Sequence, residues 1–195
     1  MNKNKGGILS VVAAAGLLIG MLTSAQGSDY LVTPTTTPNW TGTDNSNLNP
    51  SEIATLVGYF GTLSEAYIMN AGTGGTEGGT YADSYHTTFS PPSDPSGAQI
   101  IYDGSPDPYI SAGQIYLYVK DGNQNPAYYI FDISTWNGTD TIDVQGFWLQ
   151  NGAISHVTIL TGPRIAVPDG GSVLTMLGMA MVLIEGFRRR VANRS

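Results

Sequence analysis

Apolar residues fall into three patterns along this chain. Near the front, residues 8–22 ("ILSVVAAAGLLIGML") form an uncharged apolar run. Near the back, residues 172–187 ("SVLTMLGMAMVLIEGF") form a second run whose single charge is Glu185. Between them the apolar positions come in short, alternating stretches. In 114–120, Ile115, Leu117 and Val119 share one face while Tyr116, Tyr118 and Lys120 share the other. That period of two predicts a β-strand. Further strand candidates are 66–69, 81–89, 98–102, 127–133, 141–148 and 154–160. Turn-forming clusters separate them, among them "DGSPDP", "DGNQNP", "WNGTD" and "QNG". The glycine-rich "GTGGTEGGT" at 72–80 predicts a flexible connection.

One segment breaks the β pattern. "NPSEIATLVGYF", residues 49–60, predicts a short helix. Asn49 suits the N-cap, Pro50 the first turn, and Glu52 the capping-box position. Ile53, Leu56, Val57 and Phe60 form its expected apolar stripe. The expected fold is therefore all-β: an antiparallel β-sandwich, jelly-roll-like, with one short N-terminal helix. Residues 26–48 are rich in Thr, Asn, Pro and Gly. They read either as a flexible leader or as holding one edge strand around Tyr30, Leu31 and Val32. No internal repeat of solenoid or propeller kind occurs.

The two long apolar runs read as addresses. Lys3 and Lys5 precede the first run, and "TSA" at 23–25 follows it. A positive start, an apolar middle and small residues before the cut are the parts of a secretory signal peptide, with cleavage between Ala25 and Gln26. The second run predicts a single transmembrane helix that is short for a span. Its fifteen residues from Val173 to Phe187 cover about 22 Å as a helix. Snorkelling of Arg188, Arg189 and Arg190 narrows that gap, and these arginines act as a stop-transfer signal that keeps the last residues in the cytoplasm. Directly before the run stands "VPDGG": Val167, Pro168, Asp169, Gly170 and Gly171. Pro168 restricts the backbone, and the two glycines bare it to an approaching active site. The expected organisation is 1–25 signal peptide, 26–48 leader, 49–166 β-sandwich domain and 167–195 sorting signal. The last divides into motif 167–171, helix 172–187 and Arg-rich tail 188–195.

Motif, apolar helix and basic tail together resemble the C-terminus of PEP-CTERM proteins, in the VPDSG-CTERM variant. Gly170 stands where that variant usually has Ser. The stretch from about 49 to 161 also resembles the body shared by many such proteins. The resemblance implies an exported bacterial protein. Its partners would be the Sec machinery, the inner membrane before processing, and an exosortase-like membrane protease or transpeptidase that recognises the tail. It also implies an association with exopolysaccharide and biofilm at the cell surface or in the extracellular matrix.

Composition narrows the function further. Between Gln26 and Val167 only Lys120 and Arg164 oppose thirteen acidic residues. Such a body is repelled by phosphate backbones, so no nucleic-acid partner is expected. The absence of Cys removes disulfides and thiol chemistry. No HExxH spacing and no GxSxG elbow occur. His86 and His156 each stand alone inside a strand candidate, which favours structural roles. Asp121, Asn123 and Asn125 alternate, with Asp132 at the twelfth position, in the manner of a calcium loop. Pro126 occupies the place where such a loop needs Gly, and a hairpin turn explains the same residues. Calcium is the one candidate cofactor. Among the aromatics, Phe131 and Trp148 are expected in the core, while Tyr116, Tyr118 and Trp136 could serve as sugar-stacking platforms. No pairing of catalytic roles is selected, so the expectation is an exported surface or matrix protein that is not an enzyme. The alternatives are a carbohydrate-binding β-sandwich module and, less favoured, a secreted glycan-active enzyme.

Overall fold

A computed structural model describes residues 29–37, 39–72, 74–121, 123–150 and 152–164, together with positions 179 and 181. Among the described residues from 29 to 164, ten strands and one α-helix follow in chain order: β1 (Tyr30–Val32), β2 (Asn39–Gly42), α1 (Pro50–Val57), β3 (Ser64–Asn70), β4 (Glu77–Gly78), β5 (Tyr85–Ser90), β6 (Gly97–Tyr102), β7 (Gln114–Lys120), β8 (Tyr128–Asp132), β9 (Ile142–Val144) and β10 (His156–Gly162). They form two sheets, a four-stranded one in the order β1-β9-β6-β5 and a six-stranded one in the order β2-β8-β7-β10-β3-β4. The protein is thus mostly β with little helix, as the alternating pattern predicts.

The alternation in β7 explains why the sheets stack. Ile115, Leu117 and Val119 point into a core they share with Phe131 of β8 and with Val157 and Ile159 of β10. The opposite wall of that core comes from the four-stranded sheet: Val32, Tyr85, Ala98, Ile100, Ile142 and Val144. All six of these wall residues are at most 2% exposed. Burying a side chain of the size of Leu or Ile contributes about 2 kcal/mol. Hydroxyls tie the layers to each other and to the connections around them. The Tyr67 hydroxyl of β3 hydrogen-bonds the Thr87 hydroxyl of β5 at 2.8 Å. Tyr85 donates to the carbonyl of Gly138 (2.6 Å) and accepts from the backbone N–H of Ile110 (2.7 Å).

The other face of the six-stranded sheet is covered too. Tyr116, Tyr118, Tyr128, Ile130 and Leu160 make a second core with Ile53 and Ala54 of α1 and with Leu63. The helix forms where the capping pattern places it. Asn49 accepts from the backbone N–H groups of Ser51 and Glu52, and its own N–H donates to the Glu52 carboxylate at 2.7 Å. Gly58, at φ 70°, ends the helix in a left-handed cap. That early end changes the expected stripe. Ile53 is buried, but Leu56 is 45% exposed and Phe60, beyond the cap, is 95% exposed.

Three expectations are revised. The sheets are not purely antiparallel, because β1 runs parallel to β9, pairing Tyr30 with Ile142. More than a hundred residues separate these strands, so no hairpin dictates their direction. The segment read as a leader or single edge strand carries two edge strands, β1 and β2, and β2 pairs with β8. The long candidate at 141–148 shrinks to β9, because Gly146 (φ 78°) and Trp148 (φ 47°) leave extended geometry. In the glycine-rich 72–80 segment, Glu77 and Gly78 pair with β3.

Among the described residues no helix is long and apolar enough to cross a membrane. Of the segment 172–187 only Met179 and Met181 are described, and both are exposed.

Leu117 sits at the centre of the shared core with no exposure. Leu117→Ala is expected to cost about 3 kcal/mol of stability in chemical denaturation. Phe60→Ser, by contrast, is expected to change stability by less than about 0.5 kcal/mol, as exposed positions do. Equal losses from the two would contradict this packing.

Candidate functional site

Four connections meet at one end of the two sheets: 71–72 after β3, 91–96 between β5 and β6, 121–127 between β7 and β8, and 145–155 between β9 and β10. A groove of about 1100 Å³ lies among them. Its walls are tied to one another by backbone hydrogen bonds. Phe147 N–H donates to Ser96 O (3.0 Å), Ile154 N–H to Pro95 O (2.7 Å), Ala71 N–H to Ser155 O (2.8 Å) and Ser155 N–H to Lys120 O (2.6 Å). Every connection is therefore fastened to a neighbour or to the end of a central strand.

Asp121 is the side-chain staple of this end. Its Oδ1 accepts from the Asn123 N–H at 3.0 Å, and its Oδ2 accepts from the Ala153 N–H at 2.7 Å, joining two connections. Gly152 is required beside it. A Cβ there would lie 2.3 Å from Asp121 Oδ2, and its φ of +131° disfavours other residues. The calcium-loop candidates accordingly do not converge as a twelve-residue loop. Asp121 and Asn123 meet, and Asn125 is exposed in the same turn. Asp132 ends β8 opposite Tyr116, four residues along the strand from Tyr128, where the turn re-enters the sheet. That is a separation of about 13 Å along the strand. There its carboxylate accepts from Gln114 Nε2 and Ser134 N–H. Among the described residues no group of three or more His, Cys, Asp and Glu could hold a metal ion.

Two residues in the groove are strained. Asp94 (φ 51°) and Trp148 (φ 47°) are the non-glycine residues with positive φ among the described residues, and both line it. A bulky residue in this region is held there only when its surroundings over-determine it. For Trp148 those surroundings are visible. Its Nε1 donates to Pro126 O at 2.8 Å, and its ring packs against Tyr129 and Phe147. Trp148 is thus half-buried at the groove instead of fully in the core as expected, whereas Phe131 is fully buried. The neighbouring Leu149 is 72% exposed.

The other aromatic candidates lie elsewhere. Trp136 is buried, donates its Nε1 to Asp140 O, and packs on Tyr85, so it offers no platform to a sugar. Tyr116 and Tyr118 are buried in the second core. Sequence reasoning missed the groove because its floor is set by backbone bonds between distant turns. The one local signal was the "WLQNG" turn following a strand candidate.

The histidines differ from each other. His86 is exposed on β5 and pairs with Asp103, and among the described residues no hydroxyl hydrogen-bonds that pair. His156 is buried beside Tyr118 and lines a cavity of about 130 Å³ beneath α1. Burial, and then the charge of Lys120, push its imidazole down to about 4. Lys120 lies opposite it across the β7–β10 pair, is 1% exposed, and its Nζ has no hydrogen-bond partner among the described residues. Burial pulls the Lys120 amine below the ordinary lysine range, with Asp44 and Asp121 opposing.

Ala25, Gln26, Val167, Pro168, Asp169, Gly170, Gly171, Arg188, Arg189 and Arg190 lie outside the described residues. Comparison with protein-family models, curated proteins and solved structures finds no match for this chain.

The depressed His156 value makes stability depend on pH. Between the ordinary value of 6.5 and about 4, the unfolded chain binds a proton that the folded chain does not. Stability therefore falls as pH drops through that window, by about 3 kcal/mol in total, and the loss levels off below it. His156→Gln is expected to flatten this part of the profile in urea denaturation. Identical slopes in both proteins would contradict a neutral, buried His156.

Proposed function

We propose that this chain is an exported protein of the exosortase-sorted kind, displayed at the cell surface or released into the extracellular polysaccharide matrix. In this reading the signal peptide is removed between Ala25 and Gln26. The segment 172–187 holds the chain in the inner membrane, and Arg188, Arg189 and Arg190 stop its transfer. An exosortase-like enzyme then acts at Val167–Gly171. The body has a non-enzymatic role outside the cell.

One observation carries this reading. The strands of the body lie entirely between the two addresses: β1 begins at Tyr30, just behind Gln26, and β10 ends at Gly162, just ahead of Val167. Cutting at either site severs no strand pair among the described residues. The end of β10 is also secured from within the body, because the Tyr59 hydroxyl donates to Pro163 O at 2.5 Å. Removal of the tail then leaves β10 seated between β7 and β3. A body without Cys suits export only if packing alone stabilises it, and two apolar layers supply that packing. The sandwich-like description, jelly-roll-like in the expectation from sequence, is supported by the core that the two sheets share.

Expression in a host with the matching sorting enzyme tests this. Pro168→Ala with Asp169→Ala is expected to leave full-length protein in the membrane fraction. Replacing Arg188, Arg189 and Arg190 together by Ser is expected to give unprocessed protein outside the inner membrane. Normal processing of both variants would overturn the proposal.

A further inference from the structure

We infer that the groove at the loop end of the sheets is a binding site for a neutral polysaccharide chain. The inference deepens the reading above, on which it rests only for where binding takes place.

The chemistry of the lining points to that class. Among the described residues no Lys or Arg lines the groove, while Asp94 and Asp121 do, so none of the described lining neutralises a phosphate, sulfate or carboxylate. The other polar side chains in the lining are amides and hydroxyls, Asn123, Gln124 and Gln150 with three serines, set among apolar Pro, Ala and Ile154. Each amide offers two donors and a two-lone-pair acceptor. Such groups match the paired donor and acceptor character of sugar hydroxyls. Beside them stand the half-buried Trp148 and the exposed Leu149, an apolar strip suited to the C–H face of a pyranose ring.

Shape and rigidity agree with the chemistry. The groove is open and, at about 1100 Å³, lies at or above the upper end of small-molecule pockets, which suits a segment of a chain better than a compact small molecule. Its described lining comes from connections and from no strand, so it presents no backbone ladder to a peptide. The cross-loop hydrogen bonds and the Asp121 staple fix it before any ligand arrives, which lowers the ordering cost of binding. Strain at Asp94 and Trp148 is concentrated on this one feature, as it is at sites where geometry is held for a ligand. Both residues project from connections whose neighbours are tied by backbone bonds, Pro95 to Ile154 and Ser96 to Phe147.

The test uses the full-length chain purified in detergent and titration calorimetry. The probes are neutral hexasaccharides of glucose, galactose and mannose, neutral polysaccharide from the envelope of the producing cell, a carboxylated hexasaccharide and an uncharged decapeptide. Binding is expected to at least one neutral glycan, with little dependence on salt. Asn123→Ala with Gln150→Ala is expected to weaken it by about ten-fold or more, the scale of two lost hydrogen bonds, with the melting temperature unchanged. Leu149→Ser, at an exposed position, is expected to weaken it without affecting folding. Three results would each overturn the inference: no neutral glycan bound, preference for the carboxylated probe or the peptide, or neutral binding unaffected by these variants. Binding is read on purified protein, so it stands or falls separately from processing of the tail.

Discussion

The strand pair β7–β10 is the constraint on which the rest of this protein depends. These two strands lie at the middle of the six-stranded sheet and are buried on both faces. One face, with Leu117, Val119, Val157 and Ile159, closes the core against the four-stranded sheet. The other, with Tyr116, Tyr118 and Leu160, closes the second core against α1. A chain without Cys has no covalent staple, so these two layers must outweigh the entropy of ordering the body. Tyrosine makes the double burial workable. Its ring supplies apolar area to either layer, and its hydroxyl can end in a hydrogen bond, as Tyr67 does between the sheets and Tyr85 does to the connections at Gly138 and Ile110.

The loop-end groove follows from the same pair. β7 ends at Lys120 and β10 begins at His156, and the Ser155 N–H returns to Lys120 O. The connections that leave this end are thus held by the most deeply packed part of the protein. Strained backbone at Asp94 and Trp148 persists because its neighbours are anchored to that base. Lys120 and His156 show the cost of the arrangement: two basic side chains are buried where the strands need continuity, and both are pushed toward their neutral forms.

Much of the fold was legible in the sequence because its signals are local. The Asn49–Glu52 capping box, the alternation of Ile115, Leu117 and Val119, and the Gly and Asn turns all act within a few residues. What was not legible depends on partners far along the chain. The parallel β1–β9 pair, the burial of the polar-looking face of β7, and the inward placement of Trp136 are decided by strands dozens of residues away. The groove was hidden for the same reason, since Asp121 looks like part of a local turn but also binds Ala153. The two addresses are the opposite case. As proposed, they are linear patterns read from order and composition alone, and apart from Met179 and Met181 they lie outside the described residues.

The proposed organisation is a self-contained β body carried between two removable addresses. The most direct measurement is the intact mass of the mature protein recovered from the cells that make it. The account predicts a chain that starts at Gln26 and ends within residues 167–171. An extracellular product that still carries Arg188, Arg189 and Arg190 would contradict it.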